Sequence, residues 1–252
     1  SATDAGAQQQ DKAPTKSFEQ WLADFRQRAL AAGIERTTLD NAFAGVTPDP
    51  SVQKLDQQQP EFTSYIWDYL DDRVTPHAIQ GGQQLLVSHH ALFEKLRQQY
   101  GANPGILTAI WSMESNYGTY LGDRYVIRSL ATLAHEGRLT TFGNTQLLAA
   151  LQMLQTEKGI DRSQLVGSWA GAMGQTQLLP TNYLEYAVDE DGDHKRDVWN
   201  SSADALGSTA NFLKKNNWTS DVPWGQEVHL PAGFDYSQAD LTIKKSVSEW
   251  LS

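Results

Sequence analysis

Asn103-Pro104-Gly105-Ile106-Leu107-Thr108-Ala109-Ile110-Trp111-Ser112-Met113-Glu114-Ser115-Asn116-Tyr117-Gly118 is the stretch on which the fold turns. Asn before Pro is a helix start, because the amide side chain caps free N–H groups and proline needs no donor at the first helical position. Gly118 can stop the helix in the left-handed conformation. Leu107, Ile110, Trp111 and Glu114 are spaced i, i+3, i+4, i+7, so the carboxylate shares a face with the most apolar residues of its helix. Two readings are open. Set among apolar neighbours, Glu114 would have its pKa raised by desolvation, as a general acid near neutral pH requires. Set at an exposed helix end, it would be solvated or paired with Arg124 or Arg128.

On the N-terminal side, Ser1 to Lys16 is small and polar and reads as a disordered tail. Ser17 with Gln20 makes a capping box for a helix that runs to Gly33 along Phe18, Trp21, Leu22, Phe25 and Leu30. A short helix over Thr38 to Ala44 follows. Pro48, Pro50 and Pro60 then break the chain before the aromatic segment Phe62 to Leu70. Thr75-Pro76 opens a helix carried to Gly101 by Ile79, Leu85, Leu86, Leu92, Phe93 and Leu96. On the C-terminal side, helices are expected at Val126 to His135, Asn144 to Lys158, Pro180 to Ala187 and Ala203 to Asn216. From Trp218 onward Pro223, Pro231 and Gly233 flank an alternating Gln226 to Leu230, which reads as the start of a small β element. The class is mainly α, divided as a tail over 1–16, a helical domain over 17–101, a core over 102–218 and an incomplete β-containing region over 219–252.

The 252 residues hold 20 Lys+Arg against 30 Asp+Glu, a net charge of −10, no cysteine, 8 Trp and 9 Tyr. Without cysteine, disulfides, zinc-thiolate centres and cysteine nucleophiles are excluded. The acidic balance with no basic cluster argues against nucleic-acid partners, whose phosphates must be neutralised. No apolar run is long enough to span a membrane. So many indole and phenol rings serve either a core or a sugar-binding surface, and counting does not separate the two.

Met113-Glu114-Ser115-Asn116-Tyr117-Gly118, followed by Gly167-Ser168-Trp169-Ala170-Gly171-Ala172-Met173-Gly174-Gln175-Thr176-Gln177-Leu178-Leu179-Pro180-Thr181-Asn182-Tyr183, closely resembles the lytic murein transglycosylase B family. The resemblance runs from about Phe18 to Trp218. It implies a lysozyme-like catalytic core that cleaves the β-1,4 bond between N-acetylmuramic acid and N-acetylglucosamine in peptidoglycan, without water, to leave a 1,6-anhydro sugar. It implies Glu114 as sole acid and base, no cofactor for the chemistry, a periplasmic location and a monomer. Some relatives carry a lipid on an N-terminal cysteine; this form is expected to carry none.

By similarity Ser168 lies near the catalytic Glu and Gln177 contacts the glycan, chemistry that suits a hydroxyl and an amide. Ser115, Tyr117, Tyr69 and Tyr183 are further substrate-binding candidates, each aromatic equally able to be core. Arg138 stands where the family has an Arg pair. The small residues at 170, 171, 172 and 174 permit either close backbone packing or a wall against ligand; the resemblance favours the wall.

Asp189-Glu190-Asp191-Gly192-Asp193-His194-Lys195-Arg196-Asp197 puts carboxylates at positions 1, 3, 5 and 9 of an EF-hand-like loop. Position 12 is Asn200 instead of Glu, so Asp204 is the candidate closing ligand. The loop reads as a structural calcium site or as a solvated acidic turn. A rival for the reaction as a whole is a hydrolytic muramidase pairing Glu114 with a second carboxylate, Asp123 or Asp189. A binding protein that has lost turnover is the other.

Overall fold

A computed structural model describes residues 16–58, 65–219 and 222–252. Ser17 forms the expected capping box with Gln20, starting α1 (Phe18–Ala31). Next come α2 (Arg36–Phe43), α3 (Pro50–Gln57), α4 (Ile66–Arg73), α5 (Pro76–Ser88) and α6 (His90–Tyr100). After α7 (Pro104–Ser115) lie β1 (Arg124–Tyr125), α8 (Val126–His135), α9 (Thr140–Thr156), β2 (Val166–Gly167), α10 (Pro180–Tyr186) and α11 (Ser202–Lys215). The expected mainly α class stands.

Several local readings change. Pro50 does not break the chain but starts α3, with the Asp49 side chain accepting from Ser51 N–H at 2.9 Å; proline at the first helical position costs no hydrogen bond. The helix expected over Thr75 to Gly101 is two, because apolar spacing continues across the turn at His89 and hides it. There the Ser88 hydroxyl bonds the His89 ring at 2.9 Å, a local side-chain contact of the kind that competes with helix continuation. The expected aromatic segment beginning at Phe62 lies partly outside the described residues; from Ile66 it is α4.

Residues of the first unit, Ser1–Thr219, share two apolar cores. One combines Phe18, Trp21 and Phe25 of α1 with Leu39 of α2, Ile127 and Leu130 of α8, Leu147 and Leu151 of α9, and Tyr183 of α10. The other joins Phe93 and Leu96 of α6, Leu107 and Trp111 of α7, and Leu206 and Ala210 of α11. Both cores draw on helices from either side of residue 101, so the expected boundary at 101/102 does not divide this unit. Burial of these side chains is the chief stabilising term, at roughly 25 cal/mol per Å² removed from water.

The only sheet among the described residues is β1 antiparallel to β2, with Arg124 opposite Gly167 and Tyr125 opposite Val166. Isolated bridges from Gly167 to Met173 and from Met173 to Leu178 extend it into the glycine-rich segment. Strands of two residues are too short for alternation to reveal.

Ser220–Ser252 forms a second unit. Among its described residues there is a 3₁₀ turn at Tyr236–Gln238 and a short helix α12 (Val247–Trp250). No strand forms at Gln226 to Leu230, contrary to the alternation: an edge needs a hydrogen-bonded partner, and these side chains are exposed.

Candidate active site

Glu114 sits in the last turn of α7. The Asn103 side chain accepts from Gly105 N–H at 2.8 Å and Ile106 N–H at 3.3 Å, fixing the start of the helix. Leu107 and Trp111 are buried in the second core, and Glu114 emerges exposed at the end of their row. The left-handed stop comes earlier than Gly118. Asn116, Tyr117 and Gly118 are left-handed in succession, at φ 49°, 60° and 80°. Two of them are not glycine, and each such residue costs of order 1–2 kcal/mol, so the turn needs external support.

Support comes from both sides. Tyr117 N–H bonds Trp111 O at 3.0 Å, its ring meets Trp111 edge to face at 5.7 Å, and its hydroxyl donates to Ala78 O at 2.6 Å on α5. Gly82 makes room: a Cβ there would lie 2.7 Å from the Tyr117 hydroxyl. Ser115, nearly enclosed, accepts from Gly118 N–H at 2.8 Å and donates to the carbonyl of Gln175. Ser115 therefore clamps the turn to the glycine-rich segment; its hydroxyl is spent inside the protein and does not face a ligand.

Gln175 is the hub that reading the motif missed. Its side-chain oxygen accepts from Trp111 Nε1 at 2.9 Å and Ser202 Oγ at 3.3 Å, and its amide donates to Trp199 O at 3.1 Å. One buried side chain thus ties α7, the motif and the start of α11 together. In its surroundings the small residues are close-packing devices. A Cβ on Gly167 would lie 2.2 Å from Ala172 O, one on Gly174 2.6 Å from Val198 O, and one on Gly118 2.6 Å from Gln175 Oε1. Backbone meets backbone at Gly167 and Gly174, and side chains of Gln175 and Leu130 press on Gly118 and Gly171, so close packing accounts for these glycines.

The other candidates separate. Ser168 is half-buried, its hydroxyl accepting from Ala172 N–H at 3.0 Å to close a tight turn. Gln177 is half-buried and left-handed at φ 55°, with its side chain donating to Gly174 O at 3.0 Å. Tyr183 is 0 % exposed, and its hydroxyl donates to Arg196 O at 2.7 Å; a ring sealed in the core does not stack on a sugar, so this expectation is corrected. Arg138 lies 3.4 Å from the buried Asp56 of α3, which also accepts Arg138 N–H at 3.1 Å. Tyr69 of α4 is half-buried, with the Arg73 guanidinium 5.2 Å above its ring.

Arg124 and Arg128 do not pair with Glu114. Both reach Asp49, at 3.4 and 3.7 Å. The cation that acts on Glu114 is Arg73, at the end of α4. Exposed at the helix end, the Glu114 carboxyl is still partly desolvated by the protein beside it, which raises its pKa, and the positive charge of Arg73 pulls part of the way back. Arg73, Val74, Gly82, Ser112, Met113 and Tyr117 are among the residues lining a mostly apolar cavity of 220 Å³ beside the helix end. A larger recess of 550 Å³ around Arg162, with a mixed polar and apolar lining, includes Asp123.

In the acidic loop, oxygens of Asp189, Asp191, Asp193 and Asp204 all lie within 4.8 Å of one another. Asp204 is buried at 0 %, accepting Glu190 N–H at 2.7 Å and Asp197 N–H at 2.9 Å. Asp197 stays outside the cluster and caps the next turn, accepting from Trp199 and Asn200 N–H at 3.1 and 3.0 Å. That corrects its place in the expected ligand set. Glu190 turns inward, to Lys95 at 2.9 Å and the Tyr100 hydroxyl at 3.0 Å, anchoring the loop to α6.

Residues 17–252 match the family model described as the transglycosylase SLT domain. The chain belongs to this family. It is 33% identical over 217 residues to the membrane-bound lytic murein transglycosylase B of Escherichia coli (strain K12), a match that takes in 80% of this chain and 60% of that one. Among solved structures, SltB3 from Pseudomonas aeruginosa in complex with NAG-anhNAM-pentapeptide superposes with a TM-score of 0.86 at 53% identity, covering 94% of this chain and 63% of that one. The Escherichia coli lytic transglycosylase Slt35 in complex with calcium gives a TM-score of 0.71 at 29% identity, covering 91% of this chain and 75% of that one. This transglycosylase SLT chain therefore spans about three fifths of the length of the first two relatives.

Proposed function

We propose that this chain is a peptidoglycan lytic transglycosylase that cleaves the β-1,4 bond between N-acetylmuramic acid and N-acetylglucosamine, with Glu114 as both acid and base. The observation that carries the reading is a single desolvated carboxyl, protonated more readily than an ordinary Glu, at the open end of an apolar helix. Glu114 gives its proton to the glycosidic oxygen as the bond from that oxygen to the anomeric carbon breaks. The resulting carboxylate then takes the proton of the muramic acid's own 6-hydroxyl as that oxygen closes on the anomeric carbon. The products are a free N-acetylglucosamine 4-hydroxyl and a 1,6-anhydro end, with Glu114 protonated again.

Hydrolysis by paired carboxylates would need a second acid near the first. Asp123 instead lines the Arg162 recess, and Asp189 turns its oxygens to the N–H groups of Gly192 and His194 at 2.8 Å each. The charge that offsets the raised Glu114 pKa is a cation, Arg73, and not a carboxylate. SltB3, bound to a NAG-anhNAM-pentapeptide, supports the same substrate class here. A peptidoglycan substrate supports work in the bacterial cell envelope, in the periplasm. Mass analysis of digested sacculi tests the reading: 1,6-anhydro ends are expected, and reducing ends would replace it with hydrolysis.

Asp189, Asp191, Asp193 and Asp204 fit a calcium ion as a structural ligand set, all hard oxygens with one closing carboxylate buried. Slt35 in complex with calcium supports this. The ion would neutralise the cluster and hold the loop that abuts Gln175 through Val198 and Trp199. Calcium at about 100 times its dissociation constant would add roughly 2.7 kcal/mol to folding stability. A melting midpoint that falls on chelation and recovers on calcium addition is expected; one that stays fixed at several chelator concentrations rejects the site.

A further inference from the structure

Large aromatic side chains gain more than others by leaving water, so a chain that keeps them exposed forgoes that gain. A single exposed ring is ordinary. Two rings held face to face on an element with no buried residue make a flat apolar surface prepared for contact.

The α4 segment carries such a pair. Tyr65 precedes the helix and is 64 % exposed, Trp67 stands in its first turn and is 58 % exposed, and their rings lie parallel within 7° at 4.7 Å between centroids. Each ring fixes the other on one face and leaves its second face to solvent. A preset flat face suits a pyranose ring, whose axial C–H groups make one side of the sugar apolar.

The pair is continuous with the ground beside the candidate acid. Trp67 and Leu70 are spaced i, i+3 and Val74 follows four further, so the three fall on one side of α4, and all are exposed. Val74 then lines the 220 Å³ cavity together with Ile79 of α5 and with Ser112, Met113 and Tyr117 at the end of α7. Met113 directly precedes Glu114, and both are exposed. From Trp67 to the end of α4 is about 9 Å of helix. A strand seated in the cavity and running along α4 meets the pair; a single sugar in the cavity does not.

Charge argues against two other occupants. The adjoining side of α4 bears Asp68, Asp71 and Asp72, with only Arg73 in the helix to offset them. Those acids disfavour an anionic bilayer surface, and a second copy of this face would set like charges against each other across a two-fold contact. A glycan strand is uncharged along its sugars and brings hydroxyl and amide donors that carboxylates accept.

We infer that Trp67, backed by Tyr65, is a sugar-stacking platform that holds the peptidoglycan strand at a subsite removed from the bond being cut. Its role in turnover rests on the transglycosylase reading; its capacity to bind a β-1,4 strand of acetamido sugars does not.

The probe is the hexasaccharide of β-1,4-linked N-acetylglucosamine, a strand with the same linkage and acetamido groups but no lactyl groups or peptides. Titrated into nitrogen-15-labelled wild-type protein, it should shift the indole N–H signal of Trp67, identified by its absence from the Trp67→Phe spectrum. The dissociation constant should rise roughly 3- to 10-fold in Trp67→Ala, the worth of one ring face, and stay nearer the wild type in Trp67→Phe, which keeps an aromatic face. A Trp67 signal that does not move at saturation, a wild type that does not bind the hexasaccharide, or wild-type affinity in Trp67→Ala overturns the inference. So does a Trp67 signal that responds to phosphatidylglycerol vesicles or to protein concentration in place of the sugar. Sacculus digestion to reducing ends would overturn the transglycosylase reading alone, and the titration would still decide the platform.

Discussion

The two flanks of Glu114 are built on opposite plans. On one, Ser115, Gln175 and the glycine-rich segment are enclosed, their polar side chains bonded within the protein and their glycines closely packed against backbone and side chains. On the other, α4 buries no residue: Trp67 is 58 % and Leu70 45 % exposed, and Tyr65 and Trp67 stack on each other at 4.7 Å. The first flank holds the acid in place and the second leaves room and supplies charge. A site of this kind separates support from contact, so substitutions on the two flanks should fail in different ways.

The sharpest contrast is expected at Gly174. Its φ of 76° and the 2.6 Å approach to Val198 O together make Gly174→Ala cost about 2–5 kcal/mol, from backbone strain and overpacking. Gly33→Ala, at φ 93° with open space around it, should cost only about 1–2 kcal/mol. Equal losses in denaturant midpoints would show that close approach at the motif is not what demands glycine.

Gln175→Leu comes next. It leaves Trp111 Nε1 and Trp199 O without partners in a buried setting, for a loss of about 2–4 kcal/mol. A loss near zero would mean that the hub is not needed to join α7 to the motif. The smallest effect on folding belongs to the open flank. Tyr69→Ala should change stability by no more than about 0.5 kcal/mol, yet slow turnover by removing an aromatic face on which a sugar ring could lie. A folding defect there with normal turnover would erase the distinction between the flanks.

Legibility in the sequence followed the same division. Capping at Ser17 and Asn103, and the helix over Val126 to His135, were readable because one local signal sets each. The placing of Glu114 at the end of an apolar row was readable from its i, i+3, i+4, i+7 spacing. Tyr183 was misread because a polar tip and an apolar ring suit a core as well as a sugar, and only its enclosure separates the two. Gln175 was passed over inside a motif chosen for its small residues, although a long amide between two glycine-rich turns is a natural bridge. Arg73 left no signal at all. Its meaning depends on α4 coming alongside the end of α7, a contact between segments some forty positions apart in the sequence.

The central claim is that one carboxyl, raised by desolvation, performs both proton transfers. For a carboxylate whose folded pKa is raised, the native state binds more protons than the unfolded one just above the unfolded pKa. Stability therefore falls as pH rises from about 4.3 through the folded value, and the loss is complete above it. Glu114→Gln should escape that loss, melting at least as high as the wild type at neutral pH. The decisive measurement is sacculus digestion by this same folded variant. The account predicts that release of 1,6-anhydro products drops by about 10²–10⁴-fold, and release at the wild-type rate would contradict it.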